Sequence, residues 1–344
     1  MLNKVLIPLD GSANAEKIIG WSEGIAESFD SDFVLLMVVD PQKIDRSGEG
    51  AGRDRPSRDS HPFDKAPGVE KSTAEVAFGA VITTTGDPPL AGEYIGYGTQ
   101  LIEQVAQRAN AYIGDVAKRL TIRGFKVRAM VTIGNPEEEI LKVAEAEDVD
   151  LITMATHRES MFARGVLGSV TDRVVTHSSI PVLTMRPEGI SETTPMKPEI
   201  VLVPLDGSEI SEAVVPLAST IAAKMGSELL FVRVSNMTYH TAMGDAGIYY
   251  TSPVSYSRMS DLAAEYLVPF VDQAKTAGIS ASMRTPTGGP VNSINAIADE
   301  NANTMIVIGT RGQSGFKRLV VGSVTDKVVR TSGHPVLVVP PVGK

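Results

Sequence analysis

Short apolar runs alternate along this chain with longer stretches in which apolar and polar positions recur at helical spacing. The first pattern is that of strands buried in a sheet and the second that of helices laid against it. Their alternation implies crossover units and a parallel sheet. In the second half the pattern predicts strands near 200–205, 228–235, 280–285, 304–309 and 335–339, with helices over 209–225, 258–278, 291–302 and 323–331. Pro290 stands at the opening of the third helix, where its missing amide hydrogen would have had no helical partner anyway. The first half predicts strands near 4–9, 32–39, 126–132, 150–155 and 181–185. The expectation is an α/β chain of two tandem doubly wound domains, each with a five-stranded parallel sheet. Such a sheet binds ligands beyond the carboxyl ends of its strands, where strand order reverses.

The two halves are copies. Val5-Leu-Ile-Pro-Leu-Asp-Gly-Ser12 recurs as Val201-Leu-Val-Pro-Leu-Asp-Gly-Ser208, and Gly168-Ser-Val-Thr-Asp-Arg-Val-Val175 as Gly322-Ser-Val-Thr-Asp-Lys-Val-Val329, each at seven of eight positions. The first pair lies 196 residues apart and the second 154, so the first copy carries 42 additional residues between them. They fall in 41–99, where nine Gly and six Pro among 59 residues read as a long loop or lid. The predicted boundaries are a first domain over 1–186, a linker over 187–198 rich in Pro, Glu, Ser and Thr, and a second domain over 199–344.

Composition narrows the chemistry. The 344 residues are 42% hydrophobic, ample for two cores. Lys and Arg number 32 against 41 Asp and Glu, a net charge of −9 that repels phosphate backbones and anionic lipid, so neither nucleic acid nor a membrane surface is an expected partner. With no cysteine there is no disulfide scaffold, zinc-thiolate site or thiol nucleophile, and five scattered histidines do not suggest a metal site. Met1 to Asp10 reads as a strand entering a turn rather than a secretory leader, and no apolar run approaches the roughly 20 residues of a membrane span. The expected location is the cytoplasm.

Attention therefore goes to the strand ends. The first strand of the second copy ends in Asp206-Gly-Ser208; its fourth runs into Gly309-Thr-Arg-Gly312, and nine residues later comes Gly322-Ser323, a G-x-x-G-x9-G-S spacing. Gly322-Ser323-Val324-Thr325 opens a helix, whose unpaired amides and positive dipole end suit phosphate, with the Ser323 hydroxyl as an added donor. Asp206, a carboxylate, suits ribose hydroxyls or a purine amine instead. A lone G-x-x-G is often only a turn device; the strand before it, the helix after it and the neighbouring Asp-Gly-Ser favour the functional reading.

In these motifs, and in the closing strand Pro335-Val-Leu-Val-Val339, the sequence resembles the universal stress protein family in its tandem two-domain form, over almost the whole chain outside 41–99. The resemblance implies a Rossmann-like, adenine nucleotide alpha hydrolase-like fold that holds ATP or AMP, with or without Mg, over its strand ends. It implies that Asp206, with Pro204 and Leu205 before it, meets the adenosine moiety. Val234, ending the second strand, lines the adenine pocket, and Gly309, Gly312, Gly322, Ser323 and Val324 hold the phosphates; Arg311 and Thr325 are further candidates for the nucleotide site. It also implies that the last strands of the two copies meet antiparallel as an intrachain pseudo-dimer; a homodimer is a further expectation.

The first copy keeps Asp10, Val38, Gly168, Ser169 and Val170, but has Ala155 and Arg158 for the two leading glycines and Met161 where the second copy has Gly315. Positive φ is costly for arginine. Two readings stay open for this copy, a weaker nucleotide site and a packing domain that keeps its turns for the fold alone. Arg311, Lys317 and Arg318 are either phosphate partners or solvated charges. His157 has no carboxylate partner in sequence. Tyr239, Tyr249, Tyr250 and Tyr256 form a short lid or pack on their own sheet, and Trp21, spaced with Ile18 and Ile25, belongs to the core. No catalytic or metal-binding residue is assigned. The leading reading is a nucleotide-binding stress or signalling module, with slow ATP hydrolysis at most. The alternatives are an ATP-using enzyme of a related fold, against which the absence of G-x-x-x-x-G-K-[ST] counts, and a ligand-free interaction scaffold.

Overall fold

The computed structural model describes residues 2–42, 97–156, 167–187, 195–235, 243–244, 247–248, 253–310 and 321–341, without the side chains of 97–100, 243–244, 247–248 and 253–257. The chain divides into two compact units, Met1–Ala155 with Gly189–Pro195, and Thr156–Glu188 with Met196–Lys344. Nearly all of the loop expected at 41–99 lies outside the described residues; a helix has already begun at Tyr97, earlier than the sequence suggested.

In the first unit β1 (Lys4–Leu9), β2 (Asp32–Val39), β3 (Val127–Ile133) and β4 (Leu151–Ala155) lie in the order β4-β1-β2-β3, all parallel. Register sets Val5 between Phe33 and Leu151, and all three are buried. Strands covered on both faces read as continuous apolar runs rather than alternating ones, and Phe33 to Leu36 is such a run. The helix Tyr97–Ile122 packs on β2 and β3 through Ala106, Ala109, Ile113, Val116 and Leu120, a stripe at the three- and four-residue spacing of a helical face. Trp21 is buried, as its spacing implies.

The second unit holds β5 (Val182–Met185), β6 (Ile200–Pro204), β7 (Glu228–Val232), β8 (Met243–Gly244), β9 (Gly247–Ile248), β10 (Ala281–Arg284), β11 (Thr304–Gly309) and β12 (Val336–Val339). Its sheet runs β10-β7-β6-β11-β12-β5. The first five strands are parallel and form the complete doubly wound sheet of the second copy. β5, the last strand of the first copy, closes antiparallel onto β12, with Leu183 beside Leu337. The helix Pro253–Thr276 packs on β7 and β10 through Ala263, Leu267, Val271 and Ala274. β8 and β9 pair as a two-stranded hairpin with no counterpart among the expected elements.

Two expectations need correction. The helix expected over 209–225 is two helices, Glu209–Glu212 and Val215–Met225, and the first copy breaks at the matching place between Ala13–Glu16 and Ile19–Phe29. Pro216 sits in the first turn of the second piece, but the first copy breaks without a proline, so the break belongs to the fold and the proline is accommodated by it. The second strand of the second copy ends at Val232 rather than at residue 235; beyond it the pairing thins to an isolated bridge between Ser235 and Thr287. Among the described residues no helix is long and apolar enough to cross a membrane.

Candidate functional site

Strand order in the second unit reverses between β6 and β11, and a cavity of about 540 Å³ opens over their carboxyl ends. Nine of the residues singled out from the sequence line it: Pro204, Leu205, Asp206, Val234, Gly309, Gly322, Ser323, Val324 and Thr325. Arg311 and Gly312, with Gly315, Lys317 and Arg318, lie outside the described residues, as do Tyr239, Tyr249, Tyr250 and the side chain of Tyr256.

The Asp-Gly-Ser turn is built by its own side chains. Oδ1 of Asp206 accepts from the Ser208 amide at 2.9 Å and from the Ser208 hydroxyl at 2.6 Å. Ser208 in turn caps the helix Glu209–Glu212, its Oγ accepting from the Ser211 amide at 3.2 Å. Gly207 sits at φ 86, a region closed to most side chains, and a Cβ there would meet Nη1 of Arg233 at 2.9 Å. Thus the turn is required by the fold, and it presents the Asp206 carboxylate at the cavity wall.

At the opposite wall β11 meets the helix Ser323–Thr331. Gly309 is buried, and a Cβ on it would lie 3.0 Å from the Ile210 carbonyl, so a side chain would press on the helix Glu209–Glu212. The Thr325 hydroxyl donates to the Gly309 carbonyl at 2.7 Å, which ties the helix start to the strand end. Gly322 takes φ −61 and ψ 148, open to any residue, and its amide donates to Thr310 O at 2.6 Å. The Gly322 amide and the Thr325 hydroxyl are thus engaged within the fold. The first-turn amides of Ser323, Val324 and Thr325 have no side-chain cap and stand at the cavity.

Between these walls the lining is apolar. Val234, Met259, Leu262, Ile294 and Ile308 supply it, and Met259 and Leu262 are 44% and 56% exposed, large for side chains of that kind. Sequence reading missed Met259, Leu262 and Ile294, along with Arg233, whose guanidinium lies 4.0 Å over the Tyr266 ring. The Tyr266 hydroxyl donates to Oε1 of Glu212 at 2.6 Å. Burial, and then the hydrogen bond to Glu212, push the Tyr266 phenol up, so it stays a donor. The first copy repeats the pair, Tyr112 donating to Glu16 at 2.8 Å, and the Tyr112 phenol is likewise raised, by burial first and then by Glu16. Comparing the copies position by position was the signal that could have found it: Glu16 and Glu212 lie 196 residues apart, Tyr112 and Tyr266 154, the two repeat offsets.

In the first copy Asp10 and Ser12 build the same turn, with Oδ1 of Asp10 accepting from the Ser12 amide at 2.9 Å and the Ser12 hydroxyl accepting from the Ala15 amide at 3.1 Å. Asp10, Val38 and Ala155 belong to the first unit and Gly168, Ser169 and Val170 to the second; His157, Arg158 and Met161 lie outside the described residues.

The arrangement in the second unit offers an anion-binding helix end, a carboxylate acceptor and an apolar cleft between them. Among the described residues no cluster of three or more His, Asp or Glu is placed to hold a metal ion.

The universal stress protein family model matches residues 1–186 and again 198–340. The universal stress protein MJ0577 of Methanocaldococcus jannaschii is 28% identical over 187 residues, 54% of this chain and 96% of its own length. YxiE of Bacillus subtilis, also a universal stress protein, is 30% identical over 142 residues, 40% of this chain and 96% of its own. A crystal structure of a universal stress protein from Archaeoglobus fulgidus superposes with a TM-score of 0.61 at 21% identity, covering 99% of this chain and 97% of that one, which shows a shared fold. With both halves matched and both carrying the strand-end turns described above, the chain belongs to the universal stress protein family, with two of its domains in tandem.

Proposed function

We propose that the second copy binds an adenine nucleotide, ATP or AMP with or without Mg, and that the protein acts as a stress-response or signalling module whose partner affinity follows occupancy of that site. The observation that carries this reading is a single cavity that joins the uncapped amides of Ser323 to Thr325, the Asp206 carboxylate and an apolar cleft lined by Val234, Met259 and Leu262. Each part matches one part of the ligand. Phosphate suits the helix end, the carboxylate suits the amine or hydroxyls of adenosine, and a flat base suits the apolar cleft. The volume of about 540 Å³ falls among those of small-molecule sites, roughly 300–1,000 Å³.

The reading is of a binding module located in the cytoplasm, with slow hydrolysis at most. The second copy is the better site, because Arg158 and Met161 of the first copy stand where the second has Gly312 and Gly315. Mass spectrometry of small molecules released by acid from the purified protein tests the proposal, together with titration by a fluorescent ATP analogue. Adenine nucleotide in the extract, or saturable binding of the analogue, is the expected result. A nucleotide-free extract from a protein that also ignores the analogue favours the ligand-free scaffold.

A further inference from the structure

Arg233 is the one cation lining the second copy's cavity among the described residues. Its Nη1 is buried and has no hydrogen-bond partner among the described residues. A buried donor without a partner is rare in folded proteins and asks for an explanation. The surroundings hold the group in place without satisfying it: the guanidinium stacks on Tyr266, and Gly207 leaves room for it where any Cβ would lie 2.9 Å from Nη1. Tyr266 is itself fixed by Glu212. In the first copy the matching position, 196 residues earlier, is the buried Met37, which has no N–H donor in its side chain.

The place of Arg233 in the sheet says which part of a ligand it meets. It follows β7, whereas the helix end at Ser323 stands beside Thr310, which follows β11, and β6 lies between the two strands. Two strand spacings separate these poles, about 10 Å. A phosphate on the Ser323 amides therefore leaves the nucleoside end of the ligand toward Arg233, beside Asp206 and the apolar side chains of Val234, Met259 and Leu262.

We infer that Arg233 is a further ligand-contacting residue of the second copy, its guanidinium donating to a ring nitrogen of the bound purine. Resting on the nucleotide reading above, the inference adds a base-recognition contact that the first copy lacks. Asp206 accepts from the base or sugar while Arg233 donates, so the purine edge is held by a donor and an acceptor together.

The test is calorimetry of the full-length protein and its Arg233→Met and Arg233→Lys variants. The probes are ATP, adenosine, inorganic tripolyphosphate and 1-deaza-, 3-deaza- and 7-deazaadenosine, with thermal melts to establish folding. Arg233→Met is expected to weaken ATP and adenosine alike by about 10-fold or more and to leave tripolyphosphate unchanged. One deaza analogue, the one lacking the accepting nitrogen, is expected to bind the wild type about 10-fold more weakly than adenosine and to be insensitive to Arg233→Met. Unchanged adenosine binding in a folded Arg233→Met protein overturns the inference, as does an equal loss for adenosine and all three analogues, the mark of a merely structural arginine. A loss confined to tripolyphosphate and ATP also overturns it, by assigning Arg233 to phosphate. Should Arg233→Met not fold, Arg233→Lys and the analogue series on the wild type decide, and equal affinity of the wild type for adenosine and every analogue is the contrary result. A wild type that binds neither ATP nor adenosine overturns the nucleotide reading itself, and the inference with it.

Discussion

At the scale of single residues, two buried polar side chains make opposite contributions. Thr325 is fully satisfied: its hydroxyl reaches the Gly309 carbonyl at 2.7 Å inside the core. Thr325→Val keeps the shape, removes that bond and strands a buried carbonyl, so a loss of about 1–2 kcal/mol in unfolding free energy is expected by chemical denaturation. No loss would mean the anchor is immaterial. Glu23, in the first unit, is fully buried, and burial raises its pKa from 4.5 to about 6, against the pull of Arg123 at 2.8 Å and with a small push from Glu27. A folded-state pKa above the unfolded one means the protonated acid is favoured on folding. That stabilising share is complete below about pH 4.5 and is lost as pH rises through about 6. Glu23→Gln, neutral throughout, is therefore expected to exceed the wild type in stability by on the order of 2 kcal/mol at pH 7.5, with the gap closing at pH 4.5. A gap that does not change with pH would contradict the assignment.

At the scale of elements, the strands were legible because burial on both faces writes them as unbroken apolar words: β1, β2 and β11 begin and end where the pattern puts them. Helix ends were less so. The break before Val215 depends on how the short helix Glu209–Glu212 is seated over the end of β11, a contact between residues about a hundred apart that periodicity does not encode. The same seating explains Gly309. An added methyl would stand 3.0 Å from the Ile210 carbonyl, and Gly309→Ala is expected to displace the short helix by a few tenths of an ångström and to cost about 1 kcal/mol. Melting curves of that variant check the magnitude; a cost of several kcal/mol would show that the helix cannot yield. Ala155 of the first copy already carries a Cβ at the matching place. In the candidate site the glycines and Asp-Gly-Ser were readable because turns and helix starts leave local signatures. Arg233, Tyr266 and Glu212 were not, since their meeting depends on the packing of the helix Pro253–Thr276 over β7.

At the scale of the molecule, duplication is the governing fact. An apolar closing strand in each copy leaves a sheet edge that needs a partner, and the structure supplies it by pairing β5 with β12 antiparallel. The copies are not equivalent around this seam. Arg330 reaches Asp326 of its own helix at 2.7 Å and also bonds Asp172 of the first copy, whereas the first copy has Thr176 at the matching position. Inequivalence also carries the proposed function, because Gly312 and Gly315 of the proposed phosphate loop stand where the first copy has Arg158 and Met161. Loss of one or two amide bonds to a charged ligand costs about 1.5–3 kcal/mol each, enough to leave the first copy empty while the second fills. The decisive measurement is a calorimetric titration of the intact protein with ATP, repeated on Gly322→Val and Gly168→Val, substitutions at positions whose backbone angles any residue can adopt. Nearer one nucleotide per chain than two is expected, abolished by Gly322→Val and retained in Gly168→Val; two equal sites, or undiminished binding in a folded Gly322→Val protein, is the contrary result.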